Sequence, residues 1–343
     1  MKLIVTGGAG FIGSAFVAQS IERGDEIIVL DKFTYAGHRK NLDGIKDQSR
    51  LKIVTGDICD AALTQQLLRE QQSDAIINFA AESHVDNSIS SPGVFIKTNI
   101  EGTYNLLETS REYWSELTEE KKGNFRFVQI STDEVYGSLG ATGKFSEESP
   151  VRPNSPYSAS KAAGDHLVRA WFETYGFPAI VTNCSNNYGP RQFPEKLIPK
   201  TILNAISGEK ICIYGDGKNV RDWIHVEDHC AGVYLALTHG APGQTYCFGG
   251  NAERNNIETA NKICEILDEI NPRKDGSYKG QITFIKDRLG HDKRYAINDA
   301  KAARELGFKR KYNFEKGIES TVGWYLQNND WINSVTKKER ASI

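Results

Sequence analysis

The first half of the chain alternates short apolar segments, rich in β-branched residues, with amphipathic segments of helical length. The apolar segments are nearly continuous, which is typical of strands covered on both faces, and strands that alternate with helices form parallel βαβ units. The sequence therefore predicts a Rossmann-type α/β fold with a doubly wound parallel sheet. Strands are expected at 3–6, 26–31, 51–57, 75–80, 125–132 and 178–183. Helices are expected at 13–23, 61–71, 95–113 and 158–175.

The second half of the chain has a different texture. A length of 343 residues exceeds the ~100 to 200 residues of a typical single domain. After Asn183 the sequence becomes rich in Pro, Gly, Asn and charged residues, interrupted by an apolar stretch at 230–239 and a strand-like segment at 245–250. We therefore expect a smaller α/β C-terminal substrate domain that is interwoven with the first. The predicted division assigns 1–185 and about 222–250 to the cofactor domain, and 186–221 and 251–330 to the substrate domain.

The overall charge of the chain excludes two classes of partner. The 42 basic and 44 acidic residues give a net charge of -2, so neither nucleic acid nor an anionic membrane is an expected partner.

The six cysteines are scattered without a CxxC motif, which indicates reduced thiols. The N-terminus runs directly into a strand, and no apolar run reaches the ~18 residues of a membrane span. We expect a cytoplasmic protein.

A glycine-rich loop, TGGAGFIG, follows the first strand and opens the first helix. Gly7 permits a tight turn, Gly10 allows the backbone to approach a pyrophosphate, and Gly13 allows close packing of helix on strand. Asp31 ends the next strand, where a carboxylate binds both adenosine ribose hydroxyls and repels a 2′-phosphate. The pattern predicts NAD rather than NADP, against the alternative of a plain glycine turn. Asp57 ends a further strand and is either an adenine contact or a helix cap.

Tyr157 and Lys161 form a YxxxK motif at the start of an amphipathic helix. The i, i+4 spacing places both side chains on one helix face. An unperturbed tyrosine has a pKa near ~10, and an adjacent ammonium group together with an oxidised nicotinamide would lower that pKa. We expect Tyr157 to act as the base while hydride leaves to NAD, with Lys161 also holding the nicotinamide ribose. YxxxK is common by chance, so its specificity comes from its position after the glycine loop.

Thr132, Asp133 and Glu134 stand at the end of the fifth strand, where ligands bind in open α/β sheets. Thr132 is placed to hydrogen-bond a sugar hydroxyl. Hydride transfer alone needs no carboxyl pair, whereas elimination of water needs both a base and an acid. Because neighbouring carboxylates raise one pKa, one of the two acids can stay protonated. A solvated acidic loop or helix cap is the alternative interpretation.

His225 and His229, four residues apart, are the only histidine pair with the spacing of metal ligands on one helix face. The HExxH order is absent and no third ligand is indicated. We therefore expect no metal.

Several motifs together resemble the extended short-chain dehydrogenases/reductases, specifically the dTDP-glucose 4,6-dehydratase family. The resemblance covers about residues 1–315, and its most specific parts are the Thr-Asp-Glu triplet and YSASK. The motifs are TGGAGFIG, AAESHVDNSI, STDEVYG, PYSASKAAGDHLV, NCSNNYGPRQFPEKLIP, YGDGKNVRDWIHVEDH, NNIE and DRLGHDKRYAI.

The resemblance implies an NAD-dependent hydro-lyase that converts dTDP-glucose to dTDP-4-keto-6-deoxyglucose. In this family Tyr157 would serve as base while sugar C4 is oxidised. Glu134 would take the C5 proton, Asp133 would protonate the departing C6 hydroxyl, and hydride would return to C6. The family also implies a homodimer built on the helices at 95–113 and 157–175.

The resemblance further implies two sets of binding residues. The expected NAD contacts are Gly7, Gly10, Phe11, Ile12, Gly13, Asp31, Lys32, Thr34, Asp57, Ile58, Ala80, Ala81, Ser83, Thr98, Tyr157, Lys161 and Asn187. The expected contacts with the nucleotide sugar are Ser83, His84, Thr132, Asn186, Lys196, Leu197, Tyr214, Arg221, Asn256, Arg288 and His291. Of the latter, Arg221, Asn256 and Arg288 would face the diphosphate.

The chain departs from the family pattern at three places. Leu289 and Cys212 each stand where proline is usual, in segments expected to form the nucleotide pocket. Residues 38–40 resemble an insertion in the loop after Asp31. These departures bear on the identity of the nucleotide base and not on the reaction.

Other functions remain as alternatives. A UDP-glucose 4,6-dehydratase is the nearest, whereas a UDP-sugar 4-epimerase would not need Asp133 and Glu134. CDP-glucose and UDP-N-acetylglucosamine dehydratases usually carry Lys at the position of Glu134, and GDP-mannose dehydratases usually use NADP. A non-catalytic NAD-binding sensor would have no reason to keep Tyr157, Lys161 and the acid pair together.

Overall fold

The computed structural model describes residues 1–341 and contains one large sheet and two small ones. The strands are short, between three and seven residues long. They are β1 (Lys2–Thr6), β2 (Glu26–Asp31), β3 (Leu51–Thr55), β4 (Ala75–Asn78), β5 (Arg126–Thr132), β6 (Ala179–Cys184), β7 (Asn186–Tyr188), β8 (Ile211–Tyr214), β9 (Val220–His225), β10 (Thr245–Phe248), β11 (Glu253–Asn255) and β12 (Ile282–Ile285).

Helices connect most of these strands. They are α1 (Phe11–Glu22), α2 (Ala61–Gln71), α3 (Val85–Ser90), α4 (Pro92–Phe95), α5 (Gly102–Glu116), α6 (Glu119–Asn124), α7 (Pro156–Tyr175), α8 (Leu197–Ile206), α9 (Val226–His239), α10 (Asn256–Ile270), α11 (Ala300–Leu306), α12 (Phe314–Gln327) and α13 (Asn329–Ala341). Within the described residues, no helix is long and apolar enough to cross a bilayer.

The large sheet has seven parallel strands in the order β10-β6-β5-β4-β1-β2-β3. The order reverses between β1 and β4, which is the point where open α/β sheets bind ligands. All six predicted strands are present, and the predicted Rossmann-type fold is confirmed.

Side-chain alternation along β1 explains why helices cover both faces of the sheet. Leu3 and Val5 point into a core shared with Phe16 of α1 and with α9. Ile4 points the opposite way, into a core shared with Leu68 of α2 and with α5. The strand is therefore apolar throughout, as expected for a strand with two buried faces.

The second half of the chain contributes the two small sheets, one of β11-β9-β7 and one of β12-β8. A separate core lies around them and includes Trp223, Ile263, Tyr325 and Trp331. The chain also returns to the large sheet, since β10 pairs with β6. The two halves are interwoven, while the residue bounds of the two domains stay a prediction.

The helix expected at 95–113 is interrupted. Ile96–Glu101 form a π-helical turn between α4 and α5. Inside this turn Asn99 is buried, and its amide donates to the Glu82 carbonyl and the Ser160 hydroxyl. Hydrophobic periodicity does not indicate such a turn, because the turn is associated with a polar side chain that forms hydrogen bonds to other elements.

Candidate active site

A cleft of about 490 Å³ lies at the carboxyl ends of the parallel strands. Loops after β1, β2, β3, β4, β5 and β6 all open into it. Every catalytic, cofactor and substrate residue predicted from the sequence lines this one cleft. The structure therefore brings the predicted residues together, and their individual roles stay predictions.

The glycine loop packs so closely that side chains are excluded. A Cβ atom on Gly13 would lie 2.3 Å from the Gly7 carbonyl oxygen, and one on Gly7 would lie 2.6 Å from the Ala80 nitrogen. Gly10 is the N-cap of α1, and no side chain among the described residues caps that helix. The first-turn N–H groups of α1 thus face the cleft as an anion-binding end. This cradle fits a dinucleotide pyrophosphate.

Asp31 lies at the end of β2 with its carboxylate fixed by two backbone amides. Ala9 N donates to Oδ2 at 2.9 Å, and Phe33 N donates to Oδ1 at 2.8 Å. A carboxylate oxygen can accept more than one hydrogen bond, so this carboxylate is suited to ribose hydroxyls. Asp57 forms an ion pair with Lys32 at 2.6 Å. Helix α2 is capped by Asp60 instead, so the helix-cap interpretation of Asp57 is wrong.

Tyr157 and Lys161 lie in the first two turns of α7. The helix begins with a capping box of Ser155 and Ser158, which fixes its start at the cleft. Lys161 Nζ donates to the Ile130 carbonyl at 2.7 Å. Tyr157 is 9% exposed and packs edge-on against Phe95.

The surroundings of Tyr157 differ from the sequence expectation. Burial first, and then the negative charge of Glu134, raise the pKa of the Tyr157 phenol well above its ordinary value. The Thr132 hydroxyl acts in the opposite direction. Burial also lowers the pKa of Lys161. The protein alone therefore favours a neutral phenol, and a cationic nicotinamide would have to favour the phenolate.

The acid pair follows β5 in a short 3₁₀ turn, Asp133–Tyr136. Thr132 caps the turn by accepting from the Glu134 N–H at 3.2 Å. Asp133 is 1% exposed, and its Oδ2 has no hydrogen-bond partner among the described residues. Burial first, and then the charge of Glu134, raise the pKa of Asp133 well above its usual range. The expected protonated carboxyl is therefore Asp133.

A buried arginine also lines the cleft, and its charge acts on both members of the acid pair. Arg221 donates to the carbonyls of Val220 and Asp292, at 2.8 and 3.0 Å, and its guanidinium lies 4.4 Å from the centre of the Tyr295 ring. These contacts hold the cation in place without neutralising it. Such a fixed cation suits a diphosphate.

Asp86 links two other predicted substrate residues. Tyr214 Oη donates to Asp86 Oδ2 at 3.1 Å, and Arg288 Nε lies 3.8 Å from Oδ1. His291 Nδ1 lies 2.6 Å from Asp287 Oδ1. These side chains form one wall of the cleft.

This wall of the cleft continues through segments that follow β4 and β7. Lys196 Nζ donates to the Ser83 carbonyl at 2.8 Å, and His84 Nε2 lies 3.6 Å from Glu195 Oε2. Burial, with the nearby Lys196 charge, lowers the pKa of His84 to about 4, so this imidazole is neutral near pH 7. Tyr35 Oη donates to Glu195 at 3.4 Å and so connects the loop after β2 to this wall.

The cleft also contains residues that sequence reasoning missed, among them Tyr35, Asp86, Glu195, Lys200 and Tyr295. One signal was available. Lys200, Thr201 and Asn204 follow Leu197 at i+3, i+4 and i+7, which places them on the same face of α8. Tyr35, Glu195 and Tyr295 lie in loops, where no periodicity indicates the direction of a side chain. Asp86 lies in α3, a helix of only six residues, which is too short to show a period.

The two residues that stand where the family usually has proline, Cys212 and Leu289, lie in different surroundings. Cys212 lines the cleft. Leu289 is 72% exposed, outside the lining, so its expected place in the nucleotide pocket is wrong. Its neighbours Arg288 and His291 turn inward instead.

The candidate metal pair has other partners. His225 stacks on Tyr312 at 3.8 Å between ring centres, and His229 Nδ1 lies 2.9 Å from Asn187 Oδ1. Among the described residues, no group of three or more His, Cys, Asp or Glu is arranged to hold a metal ion.

Comparison with known proteins gives consistent matches over nearly the whole chain. A model of the family described as GDP-mannose 4,6 dehydratase matches residues 4–321. A dTDP-glucose 4,6-dehydratase of Xanthomonas campestris pv. campestris (strain B100) is 54% identical over 97% of this chain and 95% of its own length. The dTDP-glucose 4,6-dehydratase 1 of Escherichia coli (strain K12) is 52% identical over 98% of this chain and 95% of its own.

A solved structure extends the similarity to three dimensions. The dTDP-glucose 4,6-dehydratase DesIV from Streptomyces venezuelae, with NAD bound, superposes with a TM-score of 0.88. It is 45% identical, and the match covers 96% of this chain and 98% of that one.

Proposed function

The chain belongs to the dTDP-glucose 4,6-dehydratase family, and we propose that it catalyses the NAD-dependent conversion of dTDP-glucose to dTDP-4-keto-6-deoxyglucose. The observation that carries the proposal is the acid pair Asp133 and Glu134 in the same cleft as Tyr157 and Lys161. Tyr157 and Lys161 alone would support reversible oxidation. The acid pair adds what a dehydration needs and a 4-epimerase does not.

The cofactor half of the cleft is suited to NAD. The first-turn N–H groups of α1 would hold the pyrophosphate, and the Asp31 carboxylate would accept from the adenosine ribose hydroxyls. Lys161 would hold the nicotinamide ribose. Bound NAD supplies the oxidant that accepts hydride from sugar C4 and returns it to C6.

The protein side chains move the protons. Tyr157 takes the C4 hydroxyl proton, with Thr132 as the hydrogen-bond partner beside it. The resulting 4-keto group acidifies the C5 proton, which Glu134 removes. Asp133 then donates its proton to the departing C6 hydroxyl, which leaves as water. Glu134 returns its proton to C5 when C6 is reduced. The unpartnered, buried Oδ2 of Asp133 supports this last role, because a buried polar atom without a protein partner is costly unless a ligand pairs with it.

The substrate half of the cleft carries positive charge for the diphosphate. Arg221, Arg288 and Lys196 all line it, and the Arg221 guanidinium is held in place by two carbonyls. Asn186 and Asn256 add amide groups nearby. This arrangement supports a nucleoside diphosphate sugar as the substrate.

The test is a substrate panel. The protein is incubated separately with dTDP-, UDP- and CDP-glucose, and the 4-keto-6-deoxy product is followed by its alkali-induced ultraviolet absorbance. We expect the highest kcat/KM with dTDP-glucose. A higher kcat/KM with UDP-glucose would reassign the nucleotide, and production of a galactose epimer without dehydration would overturn the reaction.

We also infer a homodimer in the cytoplasm. Apolar side chains are exposed along the helical stretch that includes α4 and α5 and on α7, among them Val94, Tyr104 and Tyr175. Soluble monomers rarely expose such patches without a partner. All six cysteines are free thiols, which suits a reducing compartment. The proposed domain division is the one given above, with 1–185 and about 222–250 around NAD.

A further inference from the structure

The peptide groups of the cofactor loop are held by buried hydrogen bonds. Ala9 lies in the loop itself and is fully buried. Its N–H donates to Asp31 Oδ2 at 2.9 Å. Its carbonyl accepts from the His38 N–H at 3.0 Å and from Asn41 Nδ2 at 2.8 Å. This residue therefore connects the pyrophosphate loop, the ribose-binding carboxylate and the segment after β2.

Asn41 is held in turn by the C-terminal helix. Trp331 in α13 donates its indole Nε1–H to Asn41 Oδ1 at 2.7 Å, across 290 residues of sequence. Asn41 is 4% exposed and Trp331 is 7% exposed. Both ends of the Asn41 amide are thus paired away from water, where a lost hydrogen bond leaves an unsatisfied polar group.

The segment that carries Asn41 includes the residues recognised as an insertion. His38 caps the 3₁₀ turn Arg39–Asn41, and this turn directs the Asn41 side chain at Ala9. Leu42 then packs into the same core as Ala9. Residues 38–41 therefore connect the glycine loop to α13, with Asn41 making the contact to Trp331.

We propose that Asn41 and Trp331 are positioning residues for the cofactor. By fixing the Ala9 carbonyl, they hold the peptide groups that precede the first turn of α1, and through the Ala9 N–H they also hold Asp31. Both groups serve the adenosine diphosphate half of NAD. The inference rests on the NAD binding in the proposed function and goes beyond it, because Trp331 lies outside the residues 4–321 that match the family model.

The test measures cofactor retention in the full-length holoenzyme. Bound NAD is exchanged against isotopically labelled NAD, and its release rate is compared among the wild type, Trp331→Phe, Asn41→Ala and the double variant. Each single variant should release NAD faster by a factor on the order of five, the value of one net hydrogen bond. The double variant should release NAD no faster than Asn41→Ala, because Trp331 acts only through Asn41.

Two comparisons separate positioning from general destabilisation. Trp324→Phe is the matched control, since its ring lies 5.1 Å from Trp331 in the same aromatic cluster. It should leave NAD release unchanged even if it lowers the melting temperature. Affinity for ADP-ribose, which lacks nicotinamide, should fall in Trp331→Phe by the same factor as the affinity for NAD.

The outcomes are distinguishable from a failure of the proposed function. A wild-type protein that binds no NAD would overturn the function itself. A wild type that retains NAD, together with a Trp331→Phe variant that releases it at the wild-type rate, would overturn the positioning role alone. Additive effects in the double variant would also overturn it.

Discussion

Asp133 and Glu134 are adjacent in sequence, yet different charges surround them. The pKa of Asp133 is raised by burial and by the charges of Glu134 and Asp222, and among the described residues Arg221 is the one cation that opposes this rise. Burial also raises the pKa of Glu134, but the cations of Lys196, Arg288 and Arg221 oppose that rise. Asp133 is therefore the carboxyl that stays protonated and so has a proton to donate, and Glu134 is the more readily ionised base. This asymmetry supports the same division of roles that the family resemblance implies.

Removing the base should separate oxidation from elimination. In Glu134→Gln we expect C4 oxidation to continue while product formation falls by about 10² to 10⁴, the usual contribution of a general base. The absorbance of reduced nicotinamide should then accumulate on the enzyme. Glu148→Gln serves as the control, because Glu148 is exposed and outside the cleft. Wild-type dehydration by Glu134→Gln would show that the role assignment is wrong.

The general acid Asp133 should make the rate of elimination fall as the pH rises, whereas a general base would make it increase. Asp133 is active only while protonated, so elimination should slow as the pH rises through its raised pKa. The rate of product formation against pH should therefore have an alkaline limb, which Asp133→Asn removes along with most of the activity. The measurement is single-turnover product formation from preformed enzyme and substrate.

At the level of single residues, the sequence predicted which side chains meet but not how their surroundings act on them. YxxxK predicted the position of Tyr157, but the Lys161 ammonium was expected to lower the pKa of the phenol. Burial and Glu134 raise that pKa instead. Such a balance depends on how deeply the group is buried and on charges from other strands, and the spacing within one motif contains neither.

At the level of elements, the start of α1 is the most constrained feature of the cofactor site. The strand, the glycine loop and the helix were all predicted because each glycine has a local steric reason. The connection between the glycine loop and α13 through Asn41 and Trp331 was not predicted, because it joins residues that are 290 positions apart in the sequence. The π turn at Ile96–Glu101 was missed for a similar reason, since Asn99 is fixed by contacts with Glu82 and Ser160.

Substituting Gly13 tests the constraint on α1. In Gly13→Ala the new Cβ would lie 2.3 Å from the Gly7 carbonyl oxygen, so the loop must move. We expect NAD affinity to fall by at least a factor of about 10, the equivalent of ~1.4 kcal/mol, as measured by titration calorimetry. Gly123→Ala in α6 is the matched control, since a Cβ there meets nothing within 4 Å. Unchanged NAD affinity in Gly13→Ala would contradict the role of this glycine.

At the level of the whole molecule, the interweaving of the two halves decides where the cleft lies. Residues after β5 supply the acid pair, and β9, in the second half of the chain, supplies Arg221 to the same cleft. The change of sequence texture after Asn183 predicted a second region, and β10 does return to the large sheet. The pairing of the small sheets could not be read from the sequence, because their strands are only three to six residues long.

The proposed dimer gives a prediction at this same scale. Val94 and Tyr104 are 51% and 50% exposed, on the helical stretch that leads into and along α5. In a two-fold interface each substitution occurs twice, so one charge per subunit places two uncompensated charges in the contact. We expect sedimentation at micromolar concentration to give a dimer for the wild type and a monomer for Val94→Glu with Tyr104→Glu. Ile270→Glu, at the exposed C-terminal end of α10, should remain dimeric.

The same variant can show whether dimerisation supports catalysis. The stretch that carries Val94 and Tyr104 also carries Thr98 of the cleft, and it packs against α7, which holds Tyr157 and Lys161. Loss of the partner would expose apolar surface on the helices that position these groups. We therefore expect the monomeric variant to keep its secondary structure by circular dichroism but to lose activity. A wild-type protein that sediments as a monomer would show that there is no dimer at this concentration. A fully active monomeric variant would show that catalysis does not require a second subunit.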